Sequence, residues 1–318
     1  MSVPEAIVRV AADIRSMRTR GAGRIAVVGL EAIRDSVDEI HRGSESPSSF
    51  LRNMRETERT LLETRPTAVA LPNAISFLDS ALEREFRRGG STDDLRATVS
   101  SCVSEFLNRA REAPKKIAES ALELIPRGST AITHCHSSVA VAVMRRAAEI
   151  GLLRTIYVTE TRPLYQGRIT AAQLEGSGAS IAFIVDSAAG FYMRSSDIMI
   201  VGADAIAMNG DLANKIGTYA MAALAKQMGK TVLVCAESYK IATKAQTGAE
   251  IPLEFRPATE IYPKNPADIG SPEIVNPAFD ITPNQLIDFI VTEMGIVREP
   301  TKDIRRIAEA AGLLSVLG

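Results

Sequence analysis

The segment Thr-His-Cys-His-Ser-Ser, at residues 133–138, is the centre of the sequence pattern. It follows the apolar pair Ala131-Ile132 and precedes the apolar run Val-Ala-Val-Ala-Val-Met at residues 139–144. This order predicts a buried strand that turns into a helix. Ligands of open α/β sheets bind just beyond the carboxyl ends of the strands. The thiol of Cys135 is therefore positioned for chemistry.

Short β-rich runs alternate with helical segments from residue 130 onward. The predicted strands cover residues 131–134, 154–159, 180–185, 198–202 and 231–236, and the predicted helices cover residues 139–150, 170–176, 188–194 and 215–228. This alternation predicts βαβ crossovers and a mostly parallel, doubly wound sheet. Residues 251–283 are proline-rich and extended in this interpretation, and two helical patterns follow them. We interpret this last part as a wrapping segment rather than a third domain.

The region before residue 120 predicts helices instead. Apolar residues recur at helical spacing, as at Ile7, Val10 and Ile14, which is typical of an amphipathic helix. A Gly-Gly turn at residues 89–90 precedes Ser91 and Thr92, either of which suits the N-cap of a long helix. The predicted fold is α/β, with an N-terminal helical domain over residues 1–120 and a Rossmann-like domain with a mostly parallel sheet over residues 121–318.

Composition excludes several classes of partner. The 318 residues carry a net charge of -1, which provides no overall field for nucleic acid or a membrane surface, and no apolar run approaches the roughly 20 residues that span a bilayer. Cys102, Cys135 and Cys235 are odd in number and far apart, which argues against a disulfide framework. Together with an N-terminus unlike a signal peptide, this favours a cytoplasmic location.

Cys135 has three interpretations. His134 and His136 flank it, but side chains alternate along a strand, so three adjacent residues cannot close on one ion and we expect no metal. A buried cysteine that packs as a small hydrophobe is the second interpretation. The third is a thiolate, favoured by the following helix N-terminus and by nearby cations, which acts as base or nucleophile.

Asp204 is predicted at the same sheet edge, directly after the strand at residues 198–202. Asn209-Gly210 predicts a small hairpin, and the next helix is predicted to begin near Lys215. Asp204 lies too far before that helix to cap it, which weakens a purely structural interpretation. Asp186, in contrast, occurs where a cap is wanted, and we interpret it as structural.

Basic and glycine-rich pieces could hold an anion, because glycine lets backbone N–H groups approach closely and helix starts offer amide and hydroxyl donors. None matches a nucleotide-binding fingerprint, so we expect no cofactor. Taken singly, each basic residue would be a solvated surface side chain. The pieces are Arg20-Gly21-Ala22-Gly23, Arg65, Ser137-Ser138, Asn214-Lys215 and Lys240.

With these pieces assembled, the sequence resembles the superfamily that joins methylthioribose-1-phosphate isomerase, ribose-1,5-bisphosphate isomerase and the α/β/δ regulatory subunits of translation initiation factor 2B. The resemblance covers nearly the whole chain. Its motifs are Arg-Gly-Ala-Gly at 20–23, Glu-Thr-Arg-Pro-Thr at 63–67, Thr-His-Cys-His-Ser at 133–137, Glu-Thr-Arg-Pro at 160–163 with Gln166-Gly167, Val-Gly-Ala-Asp at 201–204, Asn209-Gly210 with Asn-Lys-Ile-Gly-Thr at 214–218, Ala-Glu-Ser-Tyr-Lys at 236–240, and Asn-Pro-Ala-Phe-Asp-Ile-Thr-Pro at 276–283.

Within this superfamily the enzymes keep a cysteine and an aspartate at two strand ends, and this chain has both. The form Thr-His-Cys-His-Ser most resembles ribose-1,5-bisphosphate isomerases, whereas methylthioribose-1-phosphate isomerases typically have Thr-x-Cys-Asn. The resemblance implies conversion of ribose 1,5-bisphosphate to ribulose 1,5-bisphosphate in AMP and nucleoside breakdown, by dimers that assemble into a hexamer. It implies Cys135 and Asp204 as catalytic residues and, as substrate-binding residues, Arg20, Gly21, Ala22, Gly23, Arg65, Ser137, Ser138, Val139, Asn214, Lys215 and Lys240.

This chemistry suits the residues. A sugar phosphorylated at its anomeric carbon cannot open spontaneously, so the reaction needs a separate acid and base. We expect protonated Asp204 to donate toward the ring oxygen while the Cys135 thiolate removes the C2 proton. Two alternatives stay open: a methylthioribose-1-phosphate isomerase, which needs a pocket for an apolar methylthio end, and a non-catalytic regulatory subunit, against which the retained Cys135 and Asp204 argue.

Overall fold

The computed structural model describes residues 3–65, 68–262, 270 and 272–314. The chain divides into two compact units, one made of Met1–Glu112, Tyr239–Ile241 and Ala308–Gly318, the other of Ala113–Ser238 and Ala242–Ile307. The division falls inside a single long helix, so the domain boundary at residue 120 stays a prediction. Within the described residues, no helix is long and apolar enough to cross a membrane.

The helices occur in both units, and the region before residue 120 is helical as predicted. In chain order they are α1 (Glu5–Arg15), α2 (Ala22–Arg42), α3 (Pro47–Leu62), α4 (Ala70–Arg87), α5 (Thr92–Ala121), α6 (Ser138–Glu149), α7 (Gly167–Leu174), α8 (Ala189–Met193), α9 (Thr218–Gln227), α10 (Ala258–Ile261) and α11 (Pro300–Ala310). Ser91 caps α5: its Oγ accepts from the Asp94 N–H at 3.2 Å and donates to the Asp94 carboxylate at 2.6 Å. This confirms one of the two predicted caps.

The first unit has its own core. Helix α2 buries Ile25, Leu30 and Ile33 at helical spacing, which directs one apolar stripe inward. Gly29 of the same helix lies so close to α4 that a Cβ atom would be 2.8 Å from Leu71 Cδ1. The two helices therefore pack closely at this glycine.

The strands form two sheets. In chain order they are β1 (Ser129–Thr133), β2 (Leu153–Thr159), β3 (Ser180–Ile184), β4 (Ile198–Val201), β5 (Ala205–Ala207), β6 (Leu212–Lys215), β7 (Thr231–Cys235), β8 (Ile241–Ala242), β9 (Phe279–Thr282), β10 (Phe289–Thr292) and β11 (Gly295–Val297). The main sheet has the order β11-β10-β7-β4-β1-β2-β3. Its neighbours pair in parallel except β10 and β11. The five predicted strands and the predicted α/β fold class are confirmed.

The predicted hairpin is also confirmed. Strands β5 and β6 pair antiparallel across the Asn209-Gly210 turn, where Gly210 has a φ of 92°. The helix predicted to begin at Lys215 is wrong at its start, because Lys215 ends strand β6 and α9 begins at Thr218. Gly217 makes the turn between them with a φ of 104°.

The interpretation of the C-terminal part was wrong in one respect. Of the two predicted helical patterns, the first forms strands β10 and β11, and β10 pairs in parallel with β7. A short apolar run such as Phe-Ile-Val-Thr at residues 289–292 is ambiguous by periodicity, and its aromatic and β-branched residues favour a strand. This part of the chain therefore extends the main sheet. Residues 263–269 and 271 of the predicted extended piece lie outside the described residues.

Candidate active site

Cys135 lies just beyond the carboxyl end of β1, at the edge where the sequence predicts it. It is half-buried and has a φ of 70°, a left-handed conformation that costs a non-glycine residue about 1–3 kcal/mol. Helix α6 begins three residues later with Ser137 as N-cap, whose Oγ accepts from the Ala140 N–H at 3.3 Å. Because the left-handed conformation is unfavourable, other contacts must hold Cys135 in place.

Two threonine hydroxyls supply such contacts. The Cys135 N–H donates to Thr161 Oγ1 at 2.9 Å, and Thr170 Oγ1 donates to the Cys135 carbonyl at 2.8 Å. Asp186 accepts from the backbone N–H groups of Thr161 and Arg162, each at 2.7 Å. Asp186 is thus structural as predicted, but it anchors the loop after β2 and does not cap a helix.

His134 links three segments around this edge. Its Nε2 lies 2.8 Å from the Ile216 carbonyl, which can only accept, so Nε2 carries the proton and Nδ1 accepts from the Thr159 hydroxyl at 2.7 Å. Burial lowers the pKa of His134, which favours the neutral ring. A Cβ atom on Gly217 would lie 3.1 Å from Nε2, so this position needs a glycine. His134 is a structural support.

His136 also acts through hydrogen bonding. Its Nδ1 lies 3.2 Å from Thr170 Oγ1, and because that hydroxyl donates to the Cys135 carbonyl, it accepts from His136. Among the residues that the structure describes, no group of three or more His, Cys, Asp or Glu side chains could hold a metal ion.

Asp204, after the neighbouring strand β4, and Lys215, at the end of β6 in the second sheet, both act on the Cys135 thiol. Asp204 follows β4, which pairs with β1, and its N–H donates to the Ala213 carbonyl at 3.0 Å. Burial raises the pKa of Cys135 to about 12, Lys215 opposes this increase and Asp204 adds to it. Lys215 thus favours the thiolate, as expected of a nearby cation, but burial has the larger effect and favours the neutral thiol.

Lys215 is itself held at this edge. Its Nζ lies 5.0 Å from the centre of the Phe279 ring, and its charge lowers the pKa of Asp280, which burial raises to about 6. The Asp280 carboxylate accepts from the N–H groups of Gly217 at 2.7 Å and Tyr219 at 3.2 Å, at the start of α9. Asp280 belongs to the motif at residues 276–283, but no local sequence signal places it beside Lys215.

The remaining predicted residues of the second unit differ in exposure. Ser138 is exposed, whereas Val139 is fully buried in the core, so only its backbone can contact a ligand. The Asn214 amide donates to Thr218 Oγ1 at 3.0 Å. A Cβ atom on Gly202 would lie 2.4 Å from Ser137 Cβ, which shows how closely the end of β4 approaches the start of α6.

Six predicted residues belong to the first unit: Arg20, Gly21, Ala22, Gly23, Arg65 and Lys240. Gly21, with a φ of 92°, directly precedes the first turn of α2, and the Arg20 side chain before it is exposed. Arg65 is half-buried after α3, while residues 66 and 67 of its motif lie outside the described residues. The approach of these residues to Cys135 stays a prediction.

Lys240 is held by a clamp on its backbone. It is buried, and the Asn73 amide donates to the carbonyls on either side of it, to Tyr239 at 2.9 Å and to Ile241 at 2.8 Å. The ring of Tyr239 packs 5.2 Å from that of Phe106. The first unit thereby fixes its own segment Tyr239–Ile241, which follows β7 in the chain and ends at the first residue of β8.

The chain is similar to known proteins over most of its length. The ribose 1,5-bisphosphate isomerase of Thermococcus kodakarensis is 36% identical over 302 residues, which cover 93% of this chain and 92% of that protein. Methylthioribose-1-phosphate isomerase 2 of Pseudothermotoga lettingae is 35% identical over 316 residues, 95% of this chain and 90% of that one.

A solved structure shows the same fold. The Pyrococcus horikoshii translation initiation factor eIF-2B superposes with a TM-score of 0.79 at 29% identity, covering 95% of this chain and 99% of that chain. The initiation factor 2 subunit family matches residues 18–299. The chain belongs to the initiation factor 2 subunit family.

Proposed function

We propose that this protein is an isomerase that converts α-D-ribose 1,5-bisphosphate to D-ribulose 1,5-bisphosphate. The observation that carries the proposal is the pairing of Cys135 and Asp204 beyond the ends of two hydrogen-bonded strands, where the carboxylate acts on the thiol. An acid and a base at one edge suit an aldose–ketose isomerisation. Relatives named for this activity, 35% to 38% identical to the chain, support the choice of substrate.

The proposed reaction moves one proton from C2 to C1. Protonated Asp204 donates to the ring oxygen as the bond from C1 to that oxygen breaks, and the Cys135 thiolate removes the C2 proton, which leaves an enediol-type double bond between C1 and C2. Asp204 then takes the proton of the C2 hydroxyl while Cys135 returns its proton to C1. Both groups end as they began, and the product is the C2 ketone.

The charges around Cys135 favour a coupled protonation of this pair. Burial raises the pKa of the thiol and so favours its neutral form, and the Asp204 carboxylate adds to that effect. When Asp204 takes up a proton, its repulsion of a thiolate disappears while the attraction of Lys215 remains. Transfer of one proton from Cys135 to Asp204 therefore creates the acid and the base together.

The substrate also needs cations, because two phosphates carry about four negative charges near neutral pH. We assign them to four basic residues together with backbone and hydroxyl donors at the starts of α2 and α6, where helix N-termini favour anions. The basic residues are Arg20, Arg65, Lys215 and Lys240, and the donors belong to Gly21, Gly23, Ser137 and Ser138.

Methylthioribose 1-phosphate is the second candidate substrate, because a relative named for that isomerase is 35% identical. Such a substrate replaces one phosphate by an apolar methylthio group. The number of basic residues proposed here, and the His136 that follows Cys135, favour the bisphosphate. A regulatory subunit without activity is the third candidate, and the pairing of Cys135 with Asp204 argues against it.

We also propose that the protein acts in the cytoplasm as dimers that form a hexamer, and that its product supplies a RuBisCO in AMP and nucleoside breakdown. Exposed apolar side chains on the edge strand β3, directly after it and on α8 support self-association. These are Phe183, Val185 and Phe191, which are 47%, 53% and 74% exposed. Light scattering should show an oligomer for the wild type and a smaller species for Phe191→Asp.

A direct assay separates the three functions. The wild type is mixed with ribose 1,5-bisphosphate or with methylthioribose 1-phosphate, and the ketose products are followed by NMR. We expect ribulose 1,5-bisphosphate to form at least about tenfold faster, in kcat/KM, than the methylthio ketose, since a lost charged contact costs over 1.4 kcal/mol. The reverse preference would favour the second candidate, and no turnover of either substrate would overturn the proposal.

A further inference from the structure

We infer that Thr161 and Thr170 are positioning residues that hold Cys135 in its left-handed conformation and so set the direction of its thiol. This inference rests on the proposed function only in taking that thiol as the base. Neither threonine needs to touch the substrate, because each acts on the backbone of Cys135.

The two hydroxyls bind both polar groups of the Cys135 backbone. Thr161 Oγ1 accepts from its N–H at 2.9 Å, and Thr170 Oγ1 donates to its carbonyl at 2.8 Å. The threonines come from different elements, the loop after β2 and helix α7, and both are buried, with exposed fractions of 0% and 1%. The Cys135 backbone is therefore held from two sides.

This clamp opposes a conformational preference. Cys135 has a φ of 70°, and residues other than glycine favour negative φ because their Cβ atom crowds the backbone in the left-handed region. Relaxation to a negative φ would swing the Cα–Cβ bond and carry the sulfur away from its present position. The peptide groups on either side must be held to prevent that rotation.

Each threonine is in turn held by its own partners. Thr161 has a φ of 61°, which is rare for a β-branched residue, and the Asp186 carboxylate fixes it by accepting from its N–H at 2.7 Å. Its hydroxyl lies 3.3 Å from Thr159 Oγ1, which is bonded to His134. His136 donates to Thr170. The two threonines are therefore part of a hydrogen-bond network that includes His134 and His136, the histidines on either side of Cys135.

The expected consequence lies in catalysis more than in binding. A base must lie in line with the proton that it removes, and a displacement of about 1 Å can cost on the order of a hundredfold in rate. Removing either hydroxyl should therefore lower kcat and leave KM nearly unchanged.

The test compares variants of matched shape. Thr161→Val and Thr170→Val remove the hydroxyl, Thr161→Ser and Thr170→Ser keep it, and Thr57→Val is the control for losing a fully buried hydroxyl, which donates to the Asn53 carbonyl at 2.9 Å in α3. We expect Thr161→Val and Thr170→Val to lose at least about tenfold in kcat and to keep KM within about threefold of the wild type. The two serine variants and Thr57→Val should keep both constants within about threefold.

A second readout needs no substrate. Iodoacetamide alkylation of each cysteine, located by mass spectrometry, reports the accessibility and orientation of the Cys135 sulfur. We expect both valine variants to change the Cys135 rate by at least about threefold while Cys102 and Cys235, which are buried, stay protected.

Three results would overturn the inference. The first is a wild-type kcat and a wild-type alkylation rate of Cys135 in the valine variants, and the second is an equal loss of activity in the serine and valine variants. The third is alkylation of Cys102 and Cys235 in the valine variants, which would mean that general unfolding and not the lost hydroxyl changes the site. If the wild type does not isomerise ribose 1,5-bisphosphate, the proposed function fails, and the alkylation rates alone decide whether the threonines position Cys135.

Discussion

Burial raises the pKa of the Cys135 thiol, and the Asp204 carboxylate, beyond the end of a neighbouring strand, raises it further. The relationship is reciprocal, since a thiolate would repel a charged Asp204 as strongly. The two groups therefore favour states in which only one of them is ionised. That property is what an acid and base pair needs if the acid is to be protonated while the base is not.

The first prediction concerns the reactivity of this thiol. Asp204→Asn removes the negative charge that disfavours the thiolate, so the pKa of Cys135 should fall and iodoacetamide should alkylate Cys135 faster at pH 8. Lys215→Met removes the opposing cation, so the pKa should rise and alkylation should slow. Because burial has the larger effect on this pKa, neither variant should give a fully ionised thiol at neutral pH.

The decisive feature is that the two variants should change the alkylation rate of Cys135 in opposite directions, because a general loosening of the site would accelerate alkylation in both. Lys226→Met serves as control, because Lys226 pairs with Asp288 at 2.5 Å, whereas the charges that shift the pKa of Cys135 are those of Lys215, Asp204 and Asp186. Equal alkylation rates in the Asp204 and Lys215 variants would contradict the electrostatic coupling.

The second prediction concerns Asn73, whose amide clamps the carbonyls on both sides of Lys240. Asn73→Ala should free the Lys240 backbone and raise KM for the bisphosphate by about fivefold to a hundredfold, the equivalent of 1–3 kcal/mol for an unpaired buried group. The measurement is steady-state kinetics. Asn108→Ala, at an exposed position of α5, should leave KM unchanged, and an unaltered KM in Asn73→Ala would refute the role of the clamp.

The third prediction concerns pH and stability in the first unit. Burial and the neighbouring Asp79 raise the pKa of Glu58 to about 8, well above its ordinary value of 4.5. The folded state therefore binds a proton that the unfolded state releases, so this contribution to stability is complete below pH 4.5 and is lost as pH rises through 8. The loss amounts to about 1.4 kcal/mol per pH unit for one group.

Urea unfolding of Glu58→Gln between pH 5 and pH 8 tests this effect. Glutamine resembles the protonated carboxyl, so the free energy of unfolding should depend less on pH than in the wild type, and the variant should be the more stable protein at pH 8. Glu56→Gln, at an exposed position of the same helix, should keep the wild-type dependence. If the free energies of unfolding of the wild type and Glu58→Gln changed in parallel with pH, Glu58 would be ionised when buried, and the prediction would be wrong.

Local patterns predicted those parts of the structure that local sequence controls. Short β-rich runs marked five strands of the main sheet, and Asn209-Gly210 marked the hairpin, because its left-handed turn needs residues of this type. The prediction failed at residues 289–297, because the periodicity of a short apolar run does not distinguish a helix from a strand and the β-branched and aromatic residues that favour a strand were given no weight.

The positions of Cys135 and Asp204 in the fold were predictable, but the electrostatics around the thiol were not. Cys135 and Asp204 could be placed at one edge because strand ends in a parallel sheet meet there. The raised pKa of the thiol could not be predicted, because the burial of Cys135 depends on the packing of the whole unit. Thr161 and Thr170 also carry no local signal, as they lie 26 and 35 residues from Cys135 in sequence.

The central claim is that Cys135 and Asp204 act as one acid and base pair on ribose 1,5-bisphosphate. Its most direct test is kcat, by NMR, for wild type, Cys135→Ser, Asp204→Asn, the double variant and Cys102→Ala as cysteine control. We predict that each site variant loses about 10²–10⁴-fold, that the double variant loses little more, as for residues that act as a unit, and that the control keeps wild-type activity. Full activity in either single variant, or losses that multiply in the double variant, would contradict the claim.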